Sequence, residues 1–121
     1  MGSLVYVEGT TSGRHFEQVL RDLDIAEPVS DKARRLSGGR PAELVATGEI
    51  ELVVHQMSEI IPVKGVALVG PLPRELQNVT TYSAGLPSRS TAPEQGRKFI
   101  GFATSPAFKA KLAAAGLDYR E

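Results

Sequence analysis

The sequence predicts an α/β fold, a mixed sheet flanked by helices. Three observations carry that prediction. Short β-branched runs alternate with segments of helical periodicity. Leu52-Val53-Val54 is apolar in succession, as strands covered on both faces are. The chain then closes on two helical patterns in a row.

Leu4-Val5-Tyr6-Val7 reads as a strand, broken by the small polar loop Glu8-Gly9-Thr10-Thr11-Ser12-Gly13. Phe16, Val19, Leu20 and Leu23 recur at helical spacing, which predicts an amphipathic helix over 13–24. A second strand is expected near Lys32 to Leu36, followed by Ser37-Gly38-Gly39. Pro41 suits the first turn of a helix running to Ala46, with Gly48 just past its end. Further strands are expected at Ile50 to His55, Val66 to Val69 and Val79 to Ala84. Thr91-Ala92-Pro93-Glu94 has the pattern of a capping box opening a helix that carries Phe99 and Phe102. Ser105-Pro106 opens the last helix, with Phe108, Leu112 and Ala115 on one side and Gly116 as its stop.

Composition narrows the function classes. The 121 residues fit one domain. Fourteen basic and 14 acidic residues give a formal net charge of zero, so the chain lacks the basic footprint of a nucleic-acid binder. Without cysteine, disulfides and thiolate metal sites are excluded. No apolar stretch approaches the roughly 18 residues of a membrane span, so no membrane insertion is expected. Met1-Gly2-Ser3 has no basic n-region and no cleavage site, so no signal peptide is read.

Thr10-Thr11-Ser12-Gly13 at a helix start is the most informative local feature. The first amides of a helix lack intrahelical partners and sit at the positive end of its dipole, so hydroxyls and a glycine there suit a small oxyanion. Plain capping by Thr11 or Ser12 accounts for the same residues. Ser37-Gly38-Gly39 is a weaker version and reads first as a turn. His15 lies three residues after Ser12, but nothing in the sequence orients it and Ser12 lacks a nucleophile elbow, so it reads as a surface or boundary residue. His55-Gln56 ends a buried strand at its carboxyl edge, where α/β proteins place ligand groups, and equally where a loop begins. No paired carboxylates and no histidines at metal-ligand spacing stand out, so no catalytic residue, metal or cofactor is expected, and the chain reads as a non-enzyme.

The stretch Val45-Ala46-Thr47-Gly48-Glu49-Ile50-Glu51-Leu52-Val53-Val54-His55-Gln56-Met57-Ser58-Glu59 resembles the signature of type 2 periplasmic solute-binding proteins of the molybdate-binding kind. Gly65-Val66-Ala67-Leu68-Val69-Gly70-Pro71-Leu72-Pro73, Thr81-Tyr82-Ser83-Ala84-Gly85, Ala92-Pro93-Glu94 through Phe99-Ile100, Ser105-Pro106 and Ala114-Ala115-Gly116-Leu117 continue the resemblance in the same order. The resemblance implies two α/β lobes clamping a ligand, with this chain corresponding to the family's C-terminal part and the first lobe incomplete. Residues 4–60 then form a second-lobe-like segment, and 61–121 the hinge return with C-terminal first-lobe-like strands and helices.

The same resemblance implies a small anionic ligand, an oxyanion or organic acid, held by Thr10, Thr11, Ser12, Gly13 and Gln56. Gln56 stands where molybdate binders place a tyrosine. It further implies an ABC transporter permease as partner and a periplasmic location. The alternative is a stand-alone interaction or assembly domain that kept the fold without the ligand. Phe99, Phe102, Phe108 and Leu112 would be uncovered if the opening strands of the first lobe are missing, so self-association as a homodimer is expected.

Overall fold

The computed structural model describes residues 2–118. The chain divides into two compact units, one up to Asn78 and one from Val79 onward.

The first unit is built on three parallel strands in the order β2-β1-β3, with β1 at Leu4–Val7, β2 at Ala33–Leu36 and β3 at Leu52–Val53. Helices α1 (Thr11–Asp22) and α2 (Ala26–Ser30) connect β1 to β2, and α3 (Pro41–Ala46) connects β2 to β3. A short α4 (Met57–Ile60) and a 3₁₀ turn at Arg74–Leu76 come next. The α/β expectation is met as an open parallel sheet flanked by helices, the shape of a partial binding-protein lobe.

Every residue of β1 is buried, at 3% exposure or less. The pleat sends successive side chains to opposite faces. On one face Leu4 and Tyr6 meet Phe16 and Leu20 of α1, with Ala26 and Val29 of α2 alongside. The Tyr6 and Phe16 rings meet edge-on, their centroids 5.3 Å apart. On the other face Val5 packs with Ala42, Ile50, Val53 and Ile60. Burial on both faces is the reason this run shows no polar alternation.

The register of α1 is set by β1. Thr10 caps the helix: its hydroxyl accepts from the Gly13 amide at 3.1 Å and donates to the Val7 carbonyl at 2.8 Å. Gly13 lies so close beneath that a Cβ there would stand 2.0 Å from the Val7 oxygen. The expected cap at Thr11 or Ser12 is therefore corrected to Thr10, and the helix begins at Thr11 rather than 13. The cap falls on Thr10 because Thr10 is the last extended residue (φ −78°, ψ 165°) and its side chain bridges strand end and helix start.

Three helices end the same way. After α1, α3 and the second helix of the C-terminal unit, the residue past the C-cap is left-handed, and paired amides return to the last turn. Gly48 (φ 77°) and Gly116 (φ 81°) fill that position as expected, whereas α1 uses Asp24 at φ 56°. In α1 the bonds run from Asp24 N–H to Arg21 O and from Ile25 N–H to Leu20 O, both 3.0 Å.

Two expected strands do not form. Val66 turns into the Val5 cluster with Val63, while Val69, Val79 and Tyr82 stand 92%, 57% and 69% exposed with no strand partner among the described residues. Both segments are irregular, so the sheet contains no antiparallel pair among those residues. The third strand is also shorter than Ile50 to His55: the Ile50 amide still bonds Leu44 O, belonging to the turn that ends α3, and the ladder closes with Val54 N–H on Val5 O.

In the second unit α5 (Pro93–Ala103) and α6 (Pro106–Ala114) are adjacent, with the Phe102 and Phe108 rings 5.0 Å apart. Ser105 caps α6 as expected. The capping box at Thr91 does not form, because Ala92 occupies the cap position and Ser90 Oγ accepts its amide instead.

Two substitutions probe this packing. Gly13→Ala drives a methyl into the Val7 carbonyl and should destabilise the first unit by about 3 kcal/mol, measured by urea unfolding; a loss under 1 kcal/mol would refute the close approach. Asp24→Gly should raise stability by about 0.5–1 kcal/mol by relieving the left-handed side chain, visible as a higher urea midpoint; an unchanged or lower midpoint would contradict it.

Candidate functional site

In an open parallel sheet the ligand crevice lies beyond the carboxyl ends of the strands, where the connections leave in opposite directions. With the order β2-β1-β3 that point lies beside β1 and β3. The loop after β1 carries Thr10 into α1, and the chain after β3 carries His55 and Gln56 into α4. Topology therefore brings all five expected site residues to one edge.

They differ in what they offer. The Thr10 hydroxyl is fully engaged: it donates to Val7 O, accepts from Gly13 N–H, and lies 3.2 Å from Ser12 Oγ, which must then be the donor. Gly13 is buried and its amide is spent on the cap. The Arg14 amide closes the first helical turn on Thr10 O. Among the described residues the amides of Thr11 and Ser12 have no acceptor and remain the open donors of the helix start. Thr11 is exposed and Ser12 half-buried, and no acidic residue stands in the first turn to occupy the positive end of the dipole.

Gln56 follows β3 at the same edge. Val54 packs with the Tyr6–Phe16 cluster on the α1 face. Gln56 itself is extended, at φ −60° and ψ 140°. Gln56 is half-buried, caps α4 without a side-chain cap bond, and donates its main-chain N–H to Nδ1 of His55 at 2.8 Å. Burial holds the His55 pKa below the ordinary value, with Glu59 partly opposing, so the ring is neutral at pH 7. With Nδ1 accepting, its proton sits on Nε2.

Sequence reasoning missed two residues. The imidazole of His15, half-buried as expected, has its Nε2 2.6 Å from the Leu76 carbonyl and fastens the segment around the 3₁₀ turn to α1. No spacing rule signals a contact across 61 residues. Tyr6 donates to Glu17 Oε1 at 2.9 Å, and burial followed by that bond raises the phenol pKa. A tyrosine in an apolar strand flagged the need for a partner without naming it. The groove that Tyr6 borders is lined by Glu8, Glu17, Glu27 and Asp31 against Arg21 and Arg35, a net acidic lining unsuited to an anion.

Among the described residues no group of three or more His, Cys, Asp or Glu could hold a metal ion, and no helix is long and apolar enough to cross a membrane.

The chain is 33% identical over 97 residues to a protein from Pseudomonas sp named aconitate isomerase, a match covering 79% of this chain and 37% of that relative's length. The chain thus spans little more than a third of the relative. The expectation that the chain is not an enzyme is overturned by this match, since a relative so similar bears an enzyme's name. No solved structure matches the chain significantly. The other match spans residues 3–118, taking in every strand and helix above, and by it the chain belongs to the bacterial extracellular solute-binding proteins.

Proposed function

We propose that this chain binds a small organic acid at the start of α1, as part of a substrate-binding protein feeding an ABC transporter permease from the periplasm. The observation that carries the reading is the meeting at one sheet edge of an acid-free helix N-terminus after β1 with Gln56 after β3. The amides of Thr11 and Ser12, the Thr11 hydroxyl and Gln56 meet the carboxylate, while Thr10 and Gly13 hold the helix start in place.

Molybdate and other inorganic oxyanions fit the helix start equally well. An amide at position 56 and a relative whose name refers to aconitate, a tricarboxylate, favour a carboxylic acid. On this reading residues 4–60 are a second-lobe-like segment and 61–121 a hinge return with first-lobe-like helices.

A second reading, isomerisation of an unsaturated acid at the same edge, is favoured by the name of that relative. A third, an assembly domain without ligand, is favoured by the exposed Phe99 and Phe102, at 67% and 58%. A second copy covering that face would give the homodimer.

Ser12→Asp tests the site. A carboxylate there mimics the bound anion, stabilising the helix by about 0.3–1 kcal/mol while blocking the ligand. We expect trans-aconitate to raise the Tm of the wild type, in line with about 2.7 kcal/mol at a hundredfold excess over Kd, and to leave Ser12→Asp unmoved. Equal shifts in both proteins would refute the site, and no shift of the wild type with aconitate, sulfate or molybdate would refute binding. Light scattering at micromolar concentration tests the dimer: twice the 12.9 kDa chain mass is expected, and a monomer unchanged on concentration would exclude it.

A further inference from the structure

The segment that leaves α4 touches the first unit on both faces of its sheet. Near its start, Val63 and Val66 pack with the Val5 cluster, the face that Ala42 of α3 covers. Gly65 between them is left-handed at φ 86°, and a Cβ there would stand 3.6 Å from that of Ala46 at the end of α3. Near its end, the Leu76 carbonyl meets Nε2 of the half-buried His15 at 2.6 Å, and α1, which carries His15, covers the opposite face. A carbonyl only accepts, so the imidazole donates through Nε2. The chain therefore changes face between Val66 and Leu76.

Helix geometry tells on which side it passes. Successive residues of an α-helix stand about 100° apart around its axis. Glu17 turns toward β2, since it holds the Tyr6 hydroxyl in the groove that Arg35 and α2 also line. His15, two residues earlier, lies roughly 200° away, on the flank of α1 turned from β2. The order β2-β1-β3 puts β3 on that flank. Among the described residues β3 is an edge strand of two residues that pairs with β1 alone.

Little else holds the crossing. Of residues 67–75 only Leu72 is half-buried, the others being exposed. Among the described residues the His15–Leu76 bond is the one hydrogen bond that joins 64–78 to another part of the unit. From these contacts we propose that residues 66–76 form a strap drawn past the β3 side of the sheet, with His15 as the clasp at its far end. Breaking the clasp opens the strap without unfolding the sheet, because the buried residues of both apolar clusters lie outside it. A loop laid across an edge strand keeps that edge from pairing with other chains. The closed strap shields β3, and the open one leaves its outer edge to a second copy. The device is independent of what binds at the start of α1.

The chain contains no cysteine, so a thiol introduced by Leu72→Cys, or by Val66→Cys as a second probe, reports on the strap alone. Glutamine places its amide nitrogen near the position of Nε2 and keeps a donor there; alanine keeps none. In either probe background, His15→Ala should speed thiol labelling about three- to tenfold, the value of one hydrogen bond, and His15→Gln should return it to within about twofold of the parent. Hydrogen exchange of the Tyr6 amide, within β1, should stay the same in all three, since it opens only with the whole unit. In the cysteine-free proteins, the rate at which light scattering grows at a fixed concentration should rise in His15→Ala by the same factor. Labelling of both parents as fast as a free thiol, glutamine behaving as alanine, or Tyr6 exchange rising in step with labelling would overturn the clasp. Scattering that grows no faster in His15→Ala than in the wild type would overturn the shielding of β3.

Discussion

The Val7 carbonyl fixes where the first helix begins. It closes β1, receives the Thr10 hydroxyl, and lies so near Gly13 that only a hydrogen fits between them. Because Thr10 is tied to that oxygen on one side and to the Gly13 amide on the other, strand end and helix start form one rigid corner. The amides of Thr11 and Ser12 inherit their direction from it. The small residues that make the corner are thus needed for fit before any ligand is considered, and the capping and ligand readings of the loop describe different residues: Thr10 caps, Thr11 is exposed and Ser12 is half-buried.

Beneath the corner the sheet divides the unit into two apolar clusters, with β1 supplying buried residues to both and β2 adding Leu36 to one and Ala33 to the other. The connection through α3 carries the chain from β2 past β1 to β3, so α1 and α3 lie on opposite faces. The two faces are filled by alternate residues of a single strand, Leu4 and Tyr6 on one and Val5 on the other. A one-residue slip of β1 would exchange the clusters wholesale, which is why burial on both faces specifies the register strongly.

Local chemistry made part of this legible in the sequence. The apolar run of β1, the proline opening α3, the glycines ending α3 and α6, and the Ser105 cap act within a few residues, and the structure keeps them. What depended on distant partners was not legible. Val66–Val69 and Val79–Ala84 have strand composition, but a β-branched run states only that a segment suits pairing, and no strand lies beside them among the described residues. Thr91 has the chemistry of a cap, yet the helix starts one residue later than its hydroxyl can serve. The helix start after β1 and the end of the third strand at His55-Gln56 were readable as places in the fold, from small residues and an apolar run. The His15 tie to Leu76 and the His55 bond to Gln56 were not, because a histidine's partner is a matter of geometry rather than spacing.

From Val79 to Asp118 no described residue is buried. The helices there are joined by the Phe102–Phe108 ring contact and present Phe99 and Phe102 to solvent. Segments with so little buried apolar area open at a free energy far below that of the global transition. Proteolysis of such segments follows the population of the open form when reclosing is fast. Limited proteolysis of this chain is therefore expected to cut first within residues 79–118, and last in β1 and the corner at Val7.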